Sequence, residues 1–144
     1  METIDKNTIH ILDRALKDRR KSIISAFVLA ILSKAQKDYK CGYLAEPKRC
    51  IVDGIADFTL EKLDNQDKIL TFQCKITTKE FALGRTQLKA NMINGGYPHG
   101  ILICGEKTEI YKLDISKDDS VPVFEHEYDN NSQLHELIQF IRDL

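Results

Sequence analysis

The first forty residues carry apolar side chains at helical spacing and contain neither Gly nor Pro. The spacing runs from Leu12 and Leu16 into the apolar residues 23–32. Apolar residues that recur every three or four positions are typical of an amphipathic helix. The pattern predicts either one long helix over about residues 8–40 or two helices that break near residues 20–22.

Period-two alternation follows this helical region. Residues 43–52 are mixed in character and are interrupted by Pro47. Residues 55–63 and 68–76 alternate between polar and apolar side chains, and the polar residues 64–67 between them are typical of a turn. The pattern predicts a β-hairpin made of these two strands.

Helical spacing returns after the hairpin, over residues 79–93, with Thr77 or Thr78 as the N-cap and Gly84 inside the helix. The remaining predicted elements are strands over residues 100–104 and 109–113, an optional strand over residues 121–124, and a last helix over residues 133–143 capped by Ser132. The predicted order, α–β–β–β–α–β–β–(β)–α, indicates an α/β fold with a mixed sheet flanked by helices. Neither a repeat nor a long linker divides the chain, so we expect one domain over residues 1–144.

Composition adds an uneven charge distribution. The 144 residues are 42% hydrophobic and 30% charged, and the net charge is −1. Such a total argues against a strongly basic coat protein or histone-like binder. Residues 1–50 nevertheless carry +5 and residues 71–112 carry +3, whereas residues 51–70 carry −3 and residues 113–144 carry −6. A local basic face is therefore compatible with the near-neutral total.

The cysteines favour a reducing compartment. The four thiols belong to Cys41, Cys50, Cys74 and Cys104, and no two of them have the spacing of a zinc motif. We recognise neither a signal peptide nor an apolar run long enough to cross a bilayer. The sequence therefore predicts free thiols, a cytoplasmic location and no membrane partner.

Candidate chemistry lies on the predicted hairpin. Asp57 opens its first strand, and Gln73, Cys74 and Lys75 lie near the end of the second. A tight hairpin brings these positions together, and strand period two places the Gln73 and Lys75 side chains on one face. Asp57, Gln73 and the Cys74 backbone carbonyl offer oxygen ligands for Mg²⁺. Lys75 offers a positive charge for a water or a phosphate.

This arrangement resembles the PD-(D/E)XK nuclease superfamily, which has the restriction-endonuclease-like fold. The superfamily pattern is an Asp on one strand, then acid-x-Lys on the next, then a helix. Here Asp57 is followed by Gln73, Cys74 and Lys75. Gln in place of the usual Glu is similar to the Gln-x-Lys variant of Mrr-type restriction enzymes. The resemblance implies catalytic roles for Asp57, Gln73 and Lys75, with Mg²⁺, or Mn²⁺ as a substitute, held by Asp57, Gln73 and the Cys74 carbonyl.

Residues 86–92 and 97–106 resemble the nuclease domain at the start of type I restriction motor subunits. In that family a helix carries Gln-x-x-x-Tyr, and an aromatic strand follows. Gln87 matches the Gln, Asn91 occupies the Tyr position, and residues 110–112 match the aromatic strand. The resemblance implies that Gln87 helps to hold DNA or the catalytic residues. The sequence contains no helicase motor motif.

The family-like core covers about residues 27–113, and residues 114–144 form a C-terminal strand and helix extension. Many members also carry a Glu on the first helix; here the candidates are Asp13, Asp18 and Glu46, whereas Asp53 is close to Asp57 in sequence only. Phosphate contacts are expected from residues on or near the predicted central helix, namely Lys79, Arg85 and Lys89. A second basic run comprises Arg14, Lys17, Arg19, Arg20 and Lys21.

Together these features predict a Mg²⁺-dependent DNA endonuclease of the restriction type. The alternative is a catalytically inactive module with the nuclease fold that binds nucleic acid or assembles with a partner. Double-strand cleavage by so small a domain would need two subunits, so we expect a homodimer. A larger restriction-type complex is also compatible with the resemblance.

Overall fold

The N-terminal helical pattern forms two helices. The computed structural model describes residues 4–18, 20–51 and 54–144. Helix α1 spans Lys6–Lys17 and helix α2 spans Lys21–Lys34. The chain therefore breaks just before residues 20–22, and α2 ends earlier than the sequence pattern predicts.

Six strands in the described ranges form one mixed sheet, in which neighbours in space are also neighbours in sequence. The strands are β1 (Tyr43–Ile51), β2 (Gly54–Lys62), β3 (Lys68–Cys74), β4 (His99–Ile103), β5 (Lys107–Lys112) and β6 (Val123–Asp129). All neighbours are antiparallel except β3 and β4, which are parallel. Parallel strands need a crossover, and helix α3 (Phe81–Gly95) provides it.

Strand β1 explains the mixed pattern around Pro47. The strand lies at the edge of the sheet, and Pro47 is paired opposite Phe58 of β2. Proline cannot donate a hydrogen bond to a sheet ladder, so it is tolerated at an edge. The side chains of an edge strand are also less buried, so polar and apolar residues need not alternate along it. The predicted hairpin is confirmed as β2 and β3.

The helices cover both faces of the sheet. Helices α1, α2 and α4 (Leu134–Arg142) share one core with apolar residues from β2, β3, β4, β5 and β6. Helix α3 covers the other face, where Leu88 and Met92 pack with Leu102 and Tyr111. The predicted fold class, a mixed sheet flanked by helices, is confirmed.

Two predicted helix caps are wrong. A short 3₁₀ turn, Thr78–Glu80, precedes α3, and the Glu80 carboxylate accepts the Ile76 N–H at 3.1 Å. Helix α4 begins after Ser132, whose N–H is bound by the Asp129 carboxylate at 3.0 Å. In both places an acidic side chain accepts a backbone N–H that lies before the helix. Across the ranges that the structure covers, none of the helices combines the length and apolar character needed to span a bilayer.

Candidate active site at the ends of β2 and β3

Asp57 lies where the β2–β3 ladder stops. The last pair of the ladder at this end joins Phe58 to Phe72. Beyond it, a backbone N–H of β3 is bound by the Asp57 carboxylate and not by a backbone carbonyl of β2. Oδ2 of Asp57 accepts the backbone N–H of Cys74 at 2.7 Å. The side chain thereby replaces a main-chain acceptor and is held against the end of β3. The predicted approach of Asp57 to the segment Gln73–Lys75 is present in the structure.

Lys21 also reaches Asp57. Its Nζ lies 2.8 Å from Oδ1 of Asp57. The Asp57 side chain is 12% exposed and that of Lys21 is 48% exposed, so solvent reaches the lysine of this ion pair more readily than the carboxylate. In sequence Lys21 is one of several basic residues, and nothing in its spacing distinguishes it from the others. The sequence pattern therefore does not predict this contact.

Gln73 is held by a network of side-chain amides, which we call the amide network: Gln73, Gln87 and Asn91. Nδ2 of Asn91 donates to Oε1 of Gln73 at 3.2 Å and to the Ile55 carbonyl at 3.4 Å. Nε2 of Gln73 donates to Oε1 of Gln87 at 3.4 Å. Residues four apart on a helix share a face, so Gln87 and Asn91 both reach the buried Gln73 from α3. Asn91 thus contributes to the site from the position where the resembling family has Tyr.

Lys75 is the first residue after β3, and its side chain lies along α3. Its backbone N–H donates to the Ile103 carbonyl at 2.9 Å. A Cβ at Gly84 would lie 3.2 Å from Cγ of Lys75 and 2.6 Å from Cδ1 of Leu102. Gly84 therefore leaves room for the Lys75 side chain against the helix. Unlike Lys21, Lys75 forms no ion pair within the parts of the chain that the structure describes.

The three predicted phosphate-contacting residues differ in their surroundings. Lys79 is exposed in the 3₁₀ turn before α3. Nζ of Lys89 lies over the Tyr111 ring, 5.4 Å from its centroid. Arg85 forms a bidentate pair with Glu109 of β5, at 2.9 and 2.8 Å. Much of the Arg85 charge is therefore already paired within the protein.

Glu109 is a buried carboxylate that no sequence motif indicates. It is 3% exposed and accepts hydrogen bonds from Arg85 and from the Tyr111 hydroxyl, the latter at 2.8 Å. Burial alone would raise its pKa, but the hydrogen bonds from Arg85 and Tyr111 and the positive charges of Arg85 and Lys107 hold the pKa below its usual value. Burial and the bond to Glu109 raise the pKa of Tyr111 to about 12, so the hydroxyl stays a donor.

None of the candidates for a helix-borne acid contacts Asp57 in the ranges that the structure covers. Asp13 is exposed on α1, Asp18 pairs with Arg20 at 2.6 Å, and Glu46 pairs with Arg49 at 3.7 Å. Asp53 and, in the second basic run, Arg19 lie outside the described residues.

The oxygen donors of the site fit one divalent cation in chemical type. A carboxylate has about four acceptor positions and an amide carbonyl has two. Asp57 uses positions for Lys21 and Cys74, and Gln73 uses one for Asn91, so both retain acceptor capacity. No group of three or more His, Cys, Asp or Glu side chains with metal-ligand geometry occurs among residues 4–18, 20–51 and 54–144. The site therefore combines a single carboxylate with neutral oxygens.

Comparison with known proteins supports the fold. No protein-family model matches the chain, and no curated protein matches its sequence. A solved structure of the type IIG restriction endonuclease BpuSI is similar, with a TM-score of 0.57 and 19% sequence identity. The similarity covers 79% of this chain and 15% of that chain, so it concerns a small part of the longer protein. The fold is consistent with a restriction-endonuclease-like fold.

Proposed function

We propose that this chain is a metal-dependent DNA endonuclease that hydrolyses phosphodiester bonds. The observation that carries the proposal is the meeting of Asp57 with the end of β3, where its carboxylate binds the Cys74 N–H at 2.7 Å. Gln73 and Lys75 flank that residue, and all of them lie in a fold similar to part of a restriction endonuclease. Acidic and neutral oxygens can hold a divalent cation, and a lysine can stabilise the charge that develops during metal-assisted phosphodiester hydrolysis.

The roles of the residues follow from their chemistry. Asp57, Gln73 and the Cys74 carbonyl would hold Mg²⁺, with Mn²⁺ as a substitute. A bound divalent cation acts as a Lewis acid and lowers the pKa of a coordinated water. Lys75 places a positive charge beside the attacking water and the scissile phosphate. Gln87 is a positioning residue, because it holds the Gln73 amide from α3.

Binding of the DNA backbone would fall to cations around α3. Lys79 is exposed, and Lys89 lies over an aromatic ring, so both can turn toward a phosphate. Arg85 would contribute less, because Glu109 already neutralises it. Cleavage of both strands would need two copies of the site, and a homodimer provides them.

The test is cleavage by the purified protein. We expect supercoiled, linear or branched DNA to be cut in Mg²⁺ or Mn²⁺, and Lys75→Ala to reduce the rate by about 10²–10³-fold without loss of the fold. Lys40→Ala is a matched control, because Lys40 is exposed in the 3₁₀ turn Tyr39–Cys41 at the end of β2 opposite to Asp57. The carbonyl of Gly42, the C-cap of that turn, accepts the N–H of Leu63, which follows the last residue of β2. Intact DNA under all these conditions would contradict the proposal.

A second candidate is a nuclease-fold module that binds nucleic acid or assembles with a partner without cleaving. The pairing of Lys21 with Asp57 favours it, because this pair and the neutral Gln73 leave the site without free negative charge. Titration with Mn²⁺ discriminates between the two functions. Binding that is lost in Asp57→Asn supports the enzyme, and absence of such binding supports the module. The same titration with RNA or DNA present distinguishes the preferred nucleic acid.

A further inference from the structure

Lys21 is paired with one oxygen of Asp57, the carboxylate that would bind the metal ion. Its Nζ is 2.8 Å from Oδ1, and the Cys74 N–H binds the other carboxylate oxygen. We infer that Lys21 is an internal counter-ion that divalent cations displace from Asp57, and that a DNA phosphate then takes up the released ammonium. This inference rests on the proposed function and concerns regulation of the same site.

The charge balance supports displacement over simultaneous binding. The Lys21 ammonium lies in contact with the single carboxylate of the site, and a second cationic residue, Lys75, directly follows Gln73 and Cys74 in the chain. Gln73 supplies no negative charge. A divalent cation placed on Asp57 with Lys21 still present would meet a like charge at contact distance, which is unfavourable.

The exposure of Lys21 allows the side chain to leave. Lys21 is the first residue of α2, and its side chain is half exposed. The preceding residue, Arg20, is also exposed and is paired with Asp18. A lysine ammonium on a flexible four-carbon stem can change partners without movement of the backbone. Lys75 cannot substitute for it in the same way, because its stem packs along α3 at Gly84.

Displacement makes metal and phosphate binding mutually favourable. Metal on Asp57 frees Lys21 for a phosphate, and a phosphate on Lys21 frees Asp57 for metal. Such coupling is reciprocal, so each ligand raises the affinity of the other by the same factor. The protein would then bind metal weakly alone and more tightly on DNA.

The direct test is Mn²⁺ titration by calorimetry without DNA. We expect Lys21→Ala to bind Mn²⁺ about tenfold more tightly than the unmodified chain, within the usual range of coupling factors. Lys17→Ala removes the same charge from an exposed position on α1, so we expect its Mn²⁺ affinity to match that of the unmodified chain. Thermal melts establish that each variant is folded, and Lys21→Gln serves as a second variant that retains more of the stem.

A second measurement repeats the titration with a short DNA duplex. We expect DNA to raise the Mn²⁺ affinity of the unmodified chain by about tenfold, and by less in Lys21→Ala. Equal Mn²⁺ affinities for the unmodified chain, Lys21→Ala and Lys21→Gln would overturn the inference while leaving the proposed function intact. Absence of Asp57-dependent Mn²⁺ binding in every variant would overturn both.

Discussion

Nδ2 of Asn91 donates to Oε1 of Gln73 across 3.2 Å, and this bond fixes the orientation of the Gln73 amide. The opposite orientation would set two N–H donors against each other, because Asn91 also donates to the Ile55 carbonyl. Asn91 therefore joins α3 to β2 and β3 at once. A Cβ at Gly54 would lie 2.8 Å from Oδ1 of Asn91, so β2 approaches the helix closely at this point.

The first prediction concerns this contact. Asn91→Ala leaves the buried oxygen of Gln73 without its donor, so we expect the free energy of unfolding to fall by about 1–3 kcal/mol. Urea unfolding measures the change. The exposed Asn7 of α1 provides a control, and we expect Asn7→Ala to be nearly neutral. Equal effects at the two positions would contradict the role of the amide network.

The second prediction separates the position of Lys75 from its charge. Gly84→Ala removes the cost of about 1 kcal/mol that a glycine adds to the free energy of a helix. The added Cβ would, however, lie too close to the side chains of Lys75 and Leu102. We expect a change in stability of less than about 1 kcal/mol together with a clear loss of DNA cleavage. Ala90→Gly makes the reverse exchange at an exposed position of α3, away from Lys75, and should lower stability without slowing cleavage. Full activity of Gly84→Ala would show that the placement of Lys75 is not critical.

The third prediction is a pH dependence at Glu109. Its folded-state pKa lies below the ordinary value of 4.5, so its stabilisation is present above that value and is lost as the pH falls through the lower folded pKa. We expect Glu109→Gln to cost about 1.5–3 kcal/mol at neutral pH and the difference to narrow in acid. Glu127→Gln is the control, because Glu127 also pairs with Lys107 but is half exposed. A pH-independent difference at Glu109 would contradict this assignment.

The fourth prediction ranks the cations around α3. Lys79→Ala and Lys89→Ala should each weaken DNA binding and reduce the slope of log affinity against log salt by about 0.9. Arg85→Ala should change that slope less, because Glu109 already pairs with the guanidinium. Fluorescence anisotropy at several salt concentrations measures all three slopes. A slope change for Arg85 as large as that for Lys79 would show that the pair opens on DNA.

The fifth prediction concerns the thiols, which are all free. Cys41 and Cys50 are exposed, whereas Cys74 and Cys104 are buried, and burial raises the pKa of both buried thiols. A thiol-specific reagent should therefore modify two thiols quickly and the other two only after unfolding. Rapid modification of Cys74 would indicate that the end of β3 opens in solution.

The sequence was most informative where the structure is local. The turn at residues 64–67 and the alternation on either side predicted the hairpin, and with it the approach of Asp57 to residues 73–75. The mixed pattern around Pro47 was ambiguous because an edge strand is only half constrained by burial.

Contacts between distant segments could not be read from the sequence. Lys21 had no feature that separated it from its basic neighbours, and only the packing of α2 brings it to Asp57. Glu109 looked like an ordinary strand carboxylate, because its partner Arg85 lies on another element. Asn91 was recognised only as a departure from the Tyr of the family, whereas its amide reaches the same part of the site as Gln87.

Two polar contacts attach α3 to different strands of the sheet. Near its start Arg85 binds Glu109 of β5, and farther along Asn91 binds Gln73 of β3. The helix and the central strands would therefore move as one unit and form a rigid wall. Under the proposed function, adjustment to a bound duplex would fall on the half-exposed side chain of Lys21, which can leave Asp57 without movement of the α2 backbone. Under the proposed function, the site would therefore combine a fixed amide held by α3 with a mobile ammonium carried by α2.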